Sequence, residues 1–370
     1  MGSALRITPY GLRITHYGGF PVGHYNVAVV GAGAVGQEML RTLVERDFPV
    51  AELRVLARSA REMTVDGRSY QVRETVPEEF DGIDIALFAG TEGESGASKL
   101  FAWEAAGRGA IVIDNSSAYR MDDRVPLIVP ECNPDDVTWH QGVIANPNCS
   151  TIQMVLPLKA LYNRSRITRV VVSTYQAVSG TGRDAIRELH DQAALLLADK
   201  PFPPPSVYPY QIAFNALPHI GGFRPDGYTS EEWKMVAETH KILGDDKIKV
   251  TPTTVRVPVF TGHSESVYVE TEKKISVQAA REILAAFPGI IVVDDSNPTE
   301  SDPNCRTYPM PIDASGKDAV YVGRVREDPF IETGLSMWVV SDNLRKGAAL
   351  NAVQIAELLI SRGMVKGHDA

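Results

Sequence analysis

The sequence predicts a two-domain α/β chain, in which a doubly wound parallel sheet is followed by an α+β domain with a mainly antiparallel sheet. Three observations predict it. A β-branched run over 26–30 leads into Gly31-Ala-Gly-Ala-Val-Gly36 and then into helical apolar spacing. Further apolar runs alternate with helical stretches up to about residue 150, and beyond that point polar and apolar residues alternate instead. At 370 residues the chain also exceeds the ~250–300 at which one hydrophobic core usually stops growing, so two cores are expected.

Each element follows from local pattern. Met39, Leu40, Leu43 and Val44 give 37–46 a helical stripe, 53–57, 83–89 and 110–113 read as strands, and 98–106 reads as helix. In the second half, 169–176, 253–260 and 264–270 alternate as strands exposed on one face do. The proline run 200–205 can be neither helix nor central strand and is expected to cross the surface extended. A broadly apolar stretch over 341–360 reads as a closing helix. The expected division is a dinucleotide-binding domain over 26–150, a second domain over 151–342, and a terminal helix (343–364) packing back on the first. Residues 1–25 repeat Arg-Ile-Thr and Tyr-Gly without an apolar segment, and are expected to be a disordered or artefactual extension.

Composition narrows the partners. A net charge of −9 argues against nucleic acid, and no apolar run approaches the ~18 residues of a membrane span. Cys132, Cys149 and Cys305 have neither disulfide-scaffold nor metal-site spacing, which suits a reducing, cytoplasmic compartment and predicts no metal.

The glycine turn suits a dinucleotide. Gly31 and Gly33 let the turn tighten and the backbone approach a pyrophosphate, while Gly36 allows close helix–strand packing. Ala34 and Val35 open the helix whose N-terminus would face the phosphates. Where NAD-binding versions carry an acid about 20 residues on, this chain has Arg58 and Ser59, which favours the 2′-phosphate of NADP.

Asn146-Pro-Asn-Cys-Ser-Thr151 precedes another apolar stretch, which puts Asn148 near a helix N-cap and Cys149 in the first turn. The partial positive charge of a helix start favours thiolate, making Cys149 a candidate nucleophile rather than a small core residue like Cys132 and Cys305. Pro157 predicts a kink or an early break in that helix. Thr229 and Glu232 form a capping-box signal, and Glu231 and Lys234 share a face of the helix that follows. Arg256 and His263 are seven apart on an extended stretch and would face opposite ways unless Gly262 bends it.

The Asn146–Thr151 motif resembles the active-site signature of the aspartate-semialdehyde dehydrogenases. The resemblance extends from about Asn26 to about Met364, through 113–120, 126–131, 175–182, 255–263 and 341–349. It implies Cys149 as acyl-thioester nucleophile, Gln176 as the orienting group and His263 as acid/base. It further implies Arg256 on the substrate carboxylate, Arg120 and Lys234 on the phosphoryl group, Glu231 on the amine, and Asn148 beside the substrate. Ser179, Gly180 and Asn343 would line the nicotinamide end, and the enzyme would be a homodimer using NADP. The stretch Gly90-Thr-Glu-Gly-Glu-Ser95 departs from the small-residue run expected there. Two readings compete: another phosphorylating acyl reductase, of the N-acetyl-glutamyl-phosphate or glyceraldehyde-3-phosphate type, and a non-catalytic NADP-binding protein.

Overall fold

A computed structural model describes residues 23–90, 95–294 and 307–368. The chain forms two compact units. The described residues up to Asn148 and from Ala348 onward make one, and Cys149–Gly347 make the other. Cys305 and residues 91–94 lie outside the described residues, as do residues 1–22 of the expected extension. The fold begins within that extension, because His24 pairs with His368 and Tyr25 is already buried in the first strand.

In the first unit the described residues form a seven-stranded sheet. Its elements are β1 (Tyr25–Val30), α1 (Ala34–Glu45), β2 (Val50–Ala57), β3 (Arg61–Val65), β4 (Arg68–Glu74), β5 (Ile85–Phe88), α2 (Ala97–Gly107), β6 (Ile111–Asp114) and β7 (Val143–Ala145), with the strands ordered β3-β4-β2-β1-β5-β6-β7. All pairings are parallel except β3 with β4, an antiparallel hairpin at the edge that local pattern did not announce. β5 is buried along its whole length, as a strand covered on both faces must be.

In the second unit α3 (Cys149–Tyr162), β8 (Ile167–Gln176), α4 (Arg183–Leu197), α5 (Ser230–Leu243), β9 (Lys249–Arg256), β10 (His263–Thr271), α6 (Val277–Ala286), β11 (Ile290–Val292), α7 (Pro311–Ala314), β12 (Val320–Glu327) and β13 (Gly334–Ser341) follow in order. Six strands are arranged β11-β12-β13-β10-β8-β9 among the described residues. The central pairings are antiparallel, whereas β9 runs parallel to β8 and β11 parallel to β12. Of the kink or early break expected at Pro157, the early break is corrected here: α3 continues past Pro157, which lies inside it and is buried with most of its neighbours. An apolar helix held by burial on nearly every side tolerates the backbone hydrogen bond that proline removes.

The expected closing helix is also shorter at its start. Ser341 ends β13, residues Arg345–Ala349 form a π-helical turn, and α8 begins only at Leu350 and ends at Ser361. Ala352, Val353, Ile355, Ala356 and Leu359 of α8 join the core of the first unit with Val27, Val29, Met39 and Leu40. Arg46 and Glu357 tie α8 to the segment after α1 through two buried 2.6 Å hydrogen bonds.

Candidate functional site

The nucleophile candidate and its partners converge in the second unit because three strands end or begin there. Gln176 ends β8, Arg256 ends β9 directly beside it in register, and His263 begins β10 on the other side of β8. This corrects the expectation of one bent strand: Arg256 and His263 belong to two strands flanking a third, joined by the turn that contains Gly262. The opposite-face problem never arises, since strand ends rather than strand parity aim the two side chains.

Cys149 starts α3 and is partly exposed, with Sγ 3.3 Å from His263 Nε2. The Ala177 backbone N–H donates to His263 Nδ1 at 3.0 Å, and Arg256 Nη1 donates to the Ala177 carbonyl at 2.6 Å. Burial, reinforced by the nearby Arg256 charge, holds His263 well below the ordinary histidine range. Tyr208 covers the Arg256 guanidinium at 5.9 Å from its ring centroid. Arg256 Nε is buried without a hydrogen-bond partner, the condition of a guanidinium with capacity left for an anionic ligand.

A second cluster adjoins through Gln176. Its Nε2 donates to Glu231 Oε1 at 3.2 Å, Ser150 Oγ lies 3.4 Å from the same oxygen, and Lys234 Nζ lies 3.6 Å from Glu231 Oε2. The predicted capping box is present at the start of α5, with Thr229 and Glu232 satisfying each other's backbone N–H groups, and it fixes where Glu231 and Lys234 project.

A third group surrounds Gly180. A Cβ there would stand 3.1 Å from Arg256 Nη1 and 3.3 Å from the His263 ring, so a glycine leaves that approach open. Asn343 Oδ1 accepts from Ser179 Oγ at 3.1 Å and from the Gly262 N–H at 2.9 Å, whereas its Nδ2 is buried without a partner. An orphaned amide donor of this kind suits the carbonyl of a nicotinamide carboxamide.

The remaining candidates belong to the first unit. Gly31 has φ +111°, a Cβ on Gly36 would overlap the Gly31 carbonyl oxygen, and Gly33 has open space around it. No side chain caps α1 at Gly33, so the first-turn N–H groups of Ala34, Val35 and Gly36 are not occupied by one. These residues fit a dinucleotide pyrophosphate. Arg58 and Ser59 are exposed just past β2. Arg120 is buried and donates to the carbonyls of Asn146 and Asn115 at 3.0 and 2.8 Å, and Asn148 is buried as the last residue before the boundary between the units.

Sequence reasoning missed Ala177, Ser150, Tyr208, Glu265 and Gly347. Ala177 acts through its backbone, which leaves no side-chain signal. Glu265 was detectable in principle, since it shares strand parity with His263, Val267 and Val269 on the buried face of β10. Its carboxyl is fully buried beside the Gln153 amide but outside hydrogen-bonding geometry, and burial raises it well above the ordinary carboxylate range.

Comparison with known proteins gives a consistent result. The family model described as semialdehyde dehydrogenase, NAD binding domain, matches residues 26–140, and that described as semialdehyde dehydrogenase, dimerisation domain, matches 158–346. An aspartate-semialdehyde dehydrogenase of Aquifex aeolicus is 54% identical over 92% of this chain and 99% of its own. One from Bacillus subtilis is 48% identical, again over 92% and 99%. The crystal structure of aspartate semialdehyde dehydrogenase II from Vibrio cholerae is 46% identical, with a TM-score of 0.84 over 91% of this chain and 98% of that one. The same enzyme has also been solved complexed with ASA.

Proposed function

This chain belongs to the aspartate-semialdehyde dehydrogenase family, and from that premise we propose that it reduces L-aspartyl 4-phosphate to L-aspartate 4-semialdehyde with NADPH, releasing phosphate. The observation that carries the reading is the 3.3 Å approach of Cys149 Sγ to His263 Nε2 at a helix start, with Arg256 and His263 both hydrogen-bonded to the backbone of Ala177. A thiolate in that position attacks the acyl carbon and displaces phosphate, leaving a thioester on Cys149. The reduced nicotinamide, when bound, supplies the hydride that this acyl carbon requires. His263 is the acid/base partner at the sulfur.

The other residues position the substrate. Arg256 grips the α-carboxylate with its guanidinium fork, and its unpartnered Nε supports that role. Glu231 receives the α-amine, and Gln176, hydrogen-bonded to Glu231, orients the reacting carbonyl. Lys234 and Arg120 take the phosphoryl group, and Asn148 borders the substrate. Gly31, Gly33, Ala34, Val35 and Gly36 hold the pyrophosphate, Arg58 and Ser59 select the 2′-phosphate, and Ser179, Gly180 and Asn343 receive the nicotinamide. The active form is a homodimer through the second domain, a reading supported by the dimerisation-domain match. No helix among the described residues is long and apolar enough to cross a membrane. On this reading the product feeds lysine, threonine, methionine and diaminopimelate synthesis in the cytoplasm.

The test is a substrate panel in the phosphorolytic direction together with mass spectrometry of a trapped adduct. Phosphate-dependent reduction of NADP with aspartate semialdehyde, and an acyl mass on Cys149, are expected. Preference for N-acetyl-glutamate semialdehyde or glyceraldehyde 3-phosphate would transfer the chain to a rival reductase. Nucleotide binding without turnover would identify a non-catalytic protein. Cys149→Ser is expected to abolish turnover with nucleotide binding intact.

A further inference from the structure

We infer that Gln153 and Glu265 form a second rung between α3 and β10, one step along from the Cys149–His263 contact, and that this rung sets how closely the sulfur meets the imidazole. The inference rests on the reading of Cys149 as nucleophile and names two residues that position it.

The repeat of the helix and that of the strand fall into step here. Four residues along a helix advance ~6 Å and two along a strand ~6.7 Å, so elements lying side by side keep pace at those spacings. Cys149 and Gln153 are four apart on α3, and His263 and Glu265 are two apart on the buried face of β10. With Cys149 Sγ 3.3 Å from His263 Nε2, the next step brings the Gln153 amide beside the Glu265 carboxyl. One step further along each element come Pro157 and Val267, both buried and apolar. Of these three steps, only the one beside the reacting pair repeats its polarity.

The rung is anchored from a third strand. Ser341 on β13 stands opposite His263 in register, and its hydroxyl donates to Gln153 Oε1 at 3.0 Å. Gln153 Nε2 and both Glu265 oxygens are buried and make no hydrogen bond elsewhere, so each is the outlet for the other. The residues flanking Glu265 in register, Thr174 on β8 and Val339 on β13, bring no charge, and burial keeps the acid protonated. A neutral carboxyl thus meets a neutral amide. An apolar pair would tolerate small rotations of α3, whereas a polar pair in a low-dielectric interior is directional. Fixing α3 one turn beyond Cys149 fixes where Sγ stands, and Gln153 and Glu265 are therefore positioning residues.

Iodoacetamide alkylation of Cys149 followed against pH by peptide mass spectrometry, beside steady-state kinetics, tests this. Glu265→Ala should raise the alkylation midpoint by about one pH unit and lower kcat at least about tenfold, with the Kd for NADP unchanged. Glu265→Gln, which keeps the shape and neutrality of the acid, should restore both to near the wild-type values. Gln153→Ala should match Glu265→Ala, and the double variant should be no worse than either, because breaking one side releases the whole rung. Val267→Ala loosens the same face of β10 without touching the rung, and should lower stability while leaving the midpoint in place. An equal midpoint shift in Val267→Ala, or additive losses in the double variant, would overturn the inference. Should Glu265→Ala not fold, Ser341→Ala removes only the anchoring hydroxyl and should still raise the midpoint by about half a unit. A wild-type midpoint there would overturn the inference equally. Alkylation needs no turnover, so a chain whose midpoints behave as expected but which fails to use aspartate semialdehyde would refute the functional reading alone.

Discussion

Gly347, in the π-helical turn, lies so close to the start of α3 that a Cβ on it would stand 2.9 Å from the Cys149 Cβ and 3.3 Å from its Cα. The nucleophile is thus held from behind by a residue with no side chain. π-Turns of this kind recur near functional sites because they re-aim the residues around them. Gly347→Ala should displace Cys149 by a fraction of an ångström. The expected result is a kcat lower by roughly 10²-fold, with a stability loss of about 1–3 kcal/mol. Steady-state kinetics beside a denaturation curve would check both, and wild-type kcat in a folded variant would show that the contact yields harmlessly.

Arg256→Lys keeps the positive charge but loses the fork and the bond geometry to the Ala177 carbonyl. A point charge cannot replace two parallel hydrogen bonds, so kcat/KM for aspartate semialdehyde should fall on the order of 10²-fold. Near-normal kinetics would remove Arg256 from the carboxylate site.

Arg58→Ala combined with Ser59→Ala tests coenzyme choice. Both side chains are exposed past β2, so the fold should be unaffected. The Kd for NADP should rise about tenfold while that for NAD barely changes. Equal weakening of the two coenzymes would contradict selection of a 2′-phosphate there.

Glu265 gives a pH prediction with a definite sign. Burial raises its carboxyl in the folded chain, so the folded state keeps a proton that the unfolded chain releases above the ordinary carboxylate range. Stability contributed by this group is fully present below the unfolded value and is lost as pH rises towards the raised folded one. The thermal midpoint of the wild type, followed from about pH 5 to about pH 8, should therefore decline relative to Glu265→Gln. Parallel profiles would mean that the carboxyl does not hold its proton.

Much of this was legible in the sequence because it is local. The turn at Gly31–Gly36, the apolar β5, the capping box at Thr229 and the cysteine at a helix start each declare themselves within a few residues. What was not legible is long-range or carried by the backbone. Arg256 and His263 are brought together by β8, which lies some eighty residues earlier in the sequence, as the 86-residue separation of Ala177 and His263 shows. The hairpin of β3 and β4 escaped notice because its residues are largely exposed, and a polar edge strand has little apolar contrast. Pro157 does not end α3: local rules assume a helix that depends on its own hydrogen bonds, whereas α3 is buried on nearly every side.

The placement of α8 has a consequence for biosynthesis. The first unit draws part of its core from residues beyond Ala348, while Cys149–Gly347 is one uninterrupted stretch. On a ribosome, which delivers the chain from its N-terminus, the inner stretch is complete while the enclosing unit still lacks its last helix. The nucleotide-binding half, although it starts first, is therefore the last to gain all of its own sequence.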